Sequence, residues 1–170
     1  MKTVFRHVIG YIVGLSLFLV VIPFALVKLS SLDPLIPFPF PAYWGVRLAL
    51  SLPFFLPGLF FAGWSNVFLF KIGKGGPTDG FNIAISPRTK NLVVTGPYRL
   101  SRNPMVFGAF SVYFAIGLFL FSALVLFTLA VFLGLSVVYL KQTEEKRLTR
   151  DFGEAYVAYR KKVPMIFPKI

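Results

Sequence analysis

Apolar and polar residues fall in long blocks along this chain, not in the short alternation of a half-buried sheet. Val8–Val27 is an uncharged run of 20 residues, which as a helix spans about 30 Å, the thickness of a hydrocarbon core. Pro23 is expected to kink this helix or close it early. No small-x-small cleavage site follows Lys28, so the run reads as a span and not as a signal peptide. Ser30–Pro41 carries Pro34, Pro37, Pro39 and Pro41 and cannot form a regular helix. Tyr43 and Trp44 suit a membrane interface. Val46–Phe70 is the second apolar run. Arg47 at its start is expected to snorkel to the interface, Pro53 and Pro57 to distort its first half, and Asn66 to hydrogen-bond between helices.

A polar loop follows from Lys71 to Thr95. Its stretch Lys74–Gly80 is Gly-rich but lacks the strand–helix context of a phosphate-binding loop, so it reads as a connector. Pro104–Leu140 then runs for 37 residues without a charge. One helix of that length would reach about 55 Å, so a hairpin of two spans is expected. Its turn falls near Phe121-Ser122-Ala123, with Gly117 as the alternative. From Lys141 the polarity returns. Leu148, Phe152, Tyr156 and Tyr159 recur at helical spacing until Pro164 and Pro168 end the pattern. The expected fold is an all-α, single-domain, four-helix integral membrane protein. Its spans lie at about 8–27, 46–70, 104–121 and 123–140, and loop 71–103 meets a C-terminal helical tail, 141–170.

Composition narrows the chemistry. A chain that is 56% hydrophobic, with 21 Phe and a mean hydropathy of +0.76, is not a soluble domain. Without cysteine it has no disulfide, thiolate zinc site or cysteine nucleophile. A single histidine, His7, cannot form a histidine metal cluster, and beside Arg6 it reads as interfacial. No metal is expected. The net charge of +12 is clustered in the 71–104 loop and the tail. Beside apolar spans, such clusters face anionic lipid headgroups and not nucleic acid. Six Lys/Arg in 71–104, against Lys28 beside the other loop, orient both termini to the cytoplasm.

The candidate site centres on Gly96–Gly108, GPYRLSRNPMVFG, where the chain re-enters the membrane. Gly96-Pro97 marks a turn, and Pro104 suits the first turn of a helix. On charge alone, Arg99 and Arg102 need no role beyond contact with lipid phosphates. Glu144 and Glu145 are adjacent at the end of the last span. On a helix they point about 100° apart. Taken alone, both read as partners of Lys141, Lys146 or Arg147 on a solvated face.

Together these two stretches resemble the membrane methyltransferase superfamily of isoprenylcysteine carboxyl methyltransferases and phospholipid N-methyltransferases. The matching signals are Gly96-Pro97-Tyr98, Arg102-Asn103-Pro104, Glu144-Glu145-x-x-Leu148, Phe152-Gly153-x-x-Tyr156-x-x-Tyr159 and Val163-Pro164, in order across roughly the last 100 residues. The resemblance implies S-adenosylmethionine as cofactor and a lipophilic acceptor from the bilayer, an isoprenylcysteine-type carboxylate or a phospholipid amine. It implies cofactor contacts from Tyr98, Arg102, Asn103, Pro104, Glu144, Glu145, Tyr156 and Tyr159. Glu145 is then the inward carboxylate for the cofactor's ammonium with Glu144 in support, and Arg102 orients acceptor or cofactor. Val106 stands where the family often has a tyrosine, which bears on pocket shape and substrate class. NADPH-dependent membrane sterol and enone reductases share a similar Arg-His/Asn-Pro signature. A non-catalytic lipid-binding membrane protein is the third reading.

Overall fold

A computed structural model describes residues 2–33, 43–76, 79–80, 83–84 and 86–169. The proline-rich stretch after Asp33 lies outside them. Helix α1 (Lys2–Ser16) runs through a widened turn, Leu17–Val21, into α2 (Ile22–Ser30). Helix α3 is Trp44–Phe68, continued by a second widened turn, Leu69–Gly73. Two-residue strands β1 (Asp79–Gly80) and β2 (Ile83–Ala84) pair antiparallel. Beyond them lie α4 (Pro104–Leu120), α5 (Ala123–Tyr139), a third widened turn Leu140–Glu144, and α6 (Glu145–Lys162).

Among the described residues, three helical stretches, Val4–Ser30, Trp44–Gly73 and Ala123–Lys162, are long and apolar enough to cross a membrane. Helix α4 is apolar but has only 17 residues, about 25 Å at 1.5 Å per residue.

Pro23 neither closes the first helix nor ends its hydrogen bonding. The Ile22 N–H donates back to Leu17 O, five residues away, and Pro23 has no N–H to offer Phe18 O. That carbonyl is taken instead by the Tyr113 hydroxyl at 3.3 Å, which ties the widened turn to α4.

Helices α3 and α4 touch backbone to backbone. A Cβ on Gly108 would stand 2.6 Å from Ala62 N and 2.7 Å from Gly58 O. Without side chains at Gly58 and Gly108 the two helices approach as small residues allow in membranes. Leu26, Val112, Tyr113, Val125 and Leu129 form the buried core between α2, α4 and α5.

The hairpin turn is Phe121-Ser122. Phe121 adopts the left-handed conformation, and Ser122 N donates to Gly117 O, so Gly117 supports the turn without forming it. Ser122 Oγ caps α5 by accepting from Val125 N at 3.2 Å. Asp33 locks the same end: Ser122 Oγ donates to its Oδ2 at 2.7 Å and Leu124 N donates to it at 3.1 Å.

Arg47, in the first turn of α3, stacks its guanidinium over the Phe121 ring at the hairpin turn, 5.7 Å from the centroid. One polar residue differs from expectation. Asn66 bonds its own helix, Nδ2 donating to Ala62 O at 2.9 Å, and makes no link between helices.

Candidate active site

The site forms at the end of the bundle opposite Asp33, where loop, hairpin ends and tail meet. Its floor is a tight turn, Gly96–Arg99. Gly96 has φ +60°, and a Cβ there would meet the Phe68 ring at 2.4 Å, so only glycine lets the turn seat on α3. Pro97 behind it is fully buried.

The next four residues are pinned by the chain's last segment, Val163–Lys169. Arg102 N donates to Pro164 O at 2.9 Å, Asn103 N to Met165 O at 3.0 Å, and Lys169 N to Leu100 O at 2.9 Å. Ser101, with no exposure, donates its hydroxyl to Ile166 O at 2.7 Å. The Asn103 side chain donates to Met165 O at 3.0 Å, so it anchors this strap and does not cap α4. Pro104, fully buried, opens α4.

Arg102 is held through two of its three guanidinium nitrogens. Nε donates to Val163 O at 3.0 Å, and Nη1 donates to Glu145 Oε1 and to the Tyr156 hydroxyl, the latter at 3.3 Å. Glu145 also accepts from Arg160 Nη1 at 3.3 Å. The two ends of the charge-free hairpin thus meet in one buried ion pair, with each side chain 10% exposed.

Glu144 points elsewhere, as adjacency on a helix requires. It accepts from Arg147 Nη2 at 2.6 Å and from the Tyr139 hydroxyl at 3.2 Å. Tyr156 and Tyr159 pack with ring centroids 6.1 Å apart, and the Tyr159 hydroxyl donates to Tyr98 O. Burial pushes the Tyr98 and Tyr159 phenols well above their ordinary range. Burial also raises Tyr156, against the opposing hydrogen bond from Arg102. All three therefore stay protonated at neutral pH.

These groups surround a cavity of about 240 Å³. Tyr98, Arg102, Asn103, Pro104, Glu144, Tyr156 and Tyr159 all line it, and so does Val106. Glu145 lies behind Arg102 and is not part of the lining. The lining combines three charged side chains, Arg102, Glu144 and Arg147, with the apolar Leu92, Val93 and Leu148. Arg147, named from the sequence as a partner of the two glutamates, does pair with Glu144 at i,i+3 spacing, whereas Tyr139 and Arg160 were not singled out by sequence. Tyr139 reaches Glu144 only because the widened turn lies between them, and Arg160 reaches Glu145 across a break in α6 at Gly153, φ +56°.

A bundle of span-length apolar helices with one compact, charged cavity at its end has the build of a membrane-embedded enzyme. Within that class the chain belongs to the phospholipid methyltransferase family, whose model matches residues 46–155. No curated protein and no solved structure matches it. The family match runs from α3 into α6. It stops short of α1, α2, Tyr156, Tyr159 and the strap.

Proposed function

We propose that this membrane methyltransferase uses S-adenosylmethionine and methylates a lipid acceptor drawn from the bilayer. The observation that carries the reading is the cavity itself. Its lining brings a carboxylate and two guanidinium groups together with apolar side chains. That donor set fits the cofactor. Glu144, the carboxylate in the lining, would take the ammonium of its amino-acid end. Arg102 would take its carboxylate or orient the acceptor, and Leu92, Val93 and Leu148 would receive the adenine. The cofactor supplies an activated methyl group on sulfur. The chain's part is to hold two reactants in line, a task that requires neither a metal nor a covalent nucleophile. Glu145, expected to face the cofactor, serves in this reading to fix Arg102.

The family's description favours a phospholipid amine over an isoprenylcysteine-type carboxylate. We place four spans in the bilayer. Helix α4, at the short end of the roughly 17–25 residues a span needs, lies backbone to backbone on α3 and returns through α5. The Lys/Arg bias then sets the cavity, both termini and the basic tail on the cytoplasmic side, against anionic headgroups.

Protein in liposomes of mixed phospholipid, given methyl-labelled S-adenosylmethionine, should transfer label into the lipid extract. Label in phosphatidylethanolamine derivatives supports the amine reading, and label in an added prenylated cysteine supports the carboxylate. Consumption of NADPH without methyl transfer would assign the chain to the reductase class. Neither reaction, with the protein folded, would leave a lipid-binding role.

A further inference from the structure

The cavity is held in part from outside itself. The strap Val163–Lys169 lies beyond the family match and serves the cavity through its backbone. Arg102 Nε donates to Val163 O, Arg102 N to Pro164 O, and Asn103 to Met165 O. Arg102 and Asn103 both line the cavity, so the shape of its lining depends on a docked strap. Within the strap Ile166 is buried, whereas Phe167 is 66% exposed. The Phe167 ring meets Phe107, in the first turn of α4, with centroids 6.4 Å apart. It therefore lies where that span begins, the depth at which interfacial aromatics sit.

Lys161 and Lys162 close α6 just before the strap, and Lys169 ends it. Lys169 N donates to Leu100 O at 2.9 Å, which sets Lys169 beside Arg99. Among the described residues, Arg99, Lys161, Lys162 and Lys169 are exposed and make no ion pair. The acidic residues before them on α6, Asp151 and Glu154, lie roughly two turns or more back. Docking the strap thus gathers like charges that an undocked segment would keep apart, and their repulsion opposes docking.

We propose that this face docks on an anionic phospholipid surface, and that the surface holds the strap closed on Arg102 and Asn103. Phe167 enters the bilayer at the start of α4, and Arg99, Lys161, Lys162 and Lys169 meet the anionic headgroups. An anionic surface relieves the repulsion present in the docked form. It therefore binds that form better than the undocked one and shifts the strap toward docking. A zwitterionic surface gives no such relief. Leaflet charge then controls the site, a role beyond the orientation of the tail. The consequence for cofactor binding rests on the methyltransferase reading, while the docking stands on the strap's own contacts.

The test places the intact chain in phosphatidylcholine nanodiscs with and without phosphatidylglycerol. Amide hydrogen exchange is followed at Arg102, Asn103 and Lys169, whose N–H groups make the docking bonds. Protection at these amides should rise about fivefold with phosphatidylglycerol, the worth of one cation at an anionic surface. High salt should cancel the rise. The Phe121 and Ser122 amides, bonded at the opposite end of the bundle, should not respond. A variant combining Lys161→Gln, Lys162→Gln and Lys169→Gln should respond by less than about twofold. S-adenosylmethionine should bind the parent about fivefold more tightly with phosphatidylglycerol, on the same scale. The triple variant meets the same lipid field and should lack that gain. Equal protection in both lipids, or a rise that the triple variant keeps, would overturn the proposal. If protection follows phosphatidylglycerol but no S-adenosylmethionine binds, the methyltransferase reading fails and the docking surface stands. If S-adenosylmethionine binds while protection ignores the lipid, that reading stands and the docking surface fails.

Discussion

Replacing Glu145 with Gln removes one charge from the Arg102–Glu145–Arg160 cluster and almost no volume. Arg102 and Glu145 are each 10% exposed, so solvent screens their bond little. Arg160, 45% exposed, contributes on the surface scale of about 0–1 kcal/mol. A charge-assisted hydrogen bond is worth about 1.5–3 kcal/mol, whereas stripping one partner from a buried pair costs about 3–5 kcal/mol. Gln keeps a carbonyl oxygen for Arg102, and Arg102 keeps Val163 O and Tyr156. The expected loss is therefore about 2–3 kcal/mol of stability, nearer the hydrogen-bond figure. Arg102→Lys keeps the charge but loses the planar fork, so it cannot serve Val163 O and Glu145 at once. Reversible unfolding in mixed micelles of the parent, both single variants and the double variant closes a double-mutant cycle. The pair predicts a coupling of about 1.5–3 kcal/mol. Single effects that add to within about 0.5 kcal/mol, the scatter of independent sites, would refute the claim that this pair joins the two ends of the hairpin.

Other outcomes follow from the same geometry. Gly108→Ala puts a Cβ 2.6 Å from Ala62 N and should lower stability by about 1–3 kcal/mol as α3 and α4 are forced apart, whereas Gly134→Ala, with nothing within 4 Å, should not; thermal melts in micelles compare them. The Asp33 carboxyl is held low by the Leu124 N–H, with the Ser122 hydroxyl adding to it. A depressed folded value means its contribution is present above the unfolded value of about 3.9 and fades as pH falls through the folded one. Melts from pH 6 to pH 3 should show that acid loss in the parent and lack it in Asp33→Asn. Reporter fusions after Gly80 and Ile170 should both read cytoplasmic, and an external reading at Gly80 would invert the proposed orientation.

Much of this arrangement was legible in the residues. A charge-free stretch too long for one span demanded a hairpin, and Ser122 marked its turn. A hairpin returns its ends to one side, which brought Arg102 and Glu145 together across the sequence. The strap was harder to see, since backbone carbonyls carry no side-chain signature. Pro164 and Pro168 marked the end of the helix, but nothing said the segment would turn back onto Leu100–Asn103. The widened turns left no local mark either, although Pro23 explains one of them. The last, Leu140–Glu144, brings Tyr139 to Glu144 and sets which of the two glutamates lines the cavity. Residue spacing alone could only say that the two diverge. Gly153 was quoted as part of a motif, but its left-handed break of α6 was not read from it.

The central claim is that the cavity lined by Arg102 and Glu144 binds a methyl donor. Calorimetric titration of S-adenosylmethionine and, in parallel, NADPH into the protein in nanodiscs tests it most directly, with Glu144→Gln beside the parent. The account predicts saturable binding of S-adenosylmethionine, no binding of NADPH, and a tenfold to hundredfold loss of affinity in Glu144→Gln, about one charge-assisted hydrogen bond. Binding of NADPH alone, or S-adenosylmethionine affinity unchanged in Glu144→Gln, would contradict it.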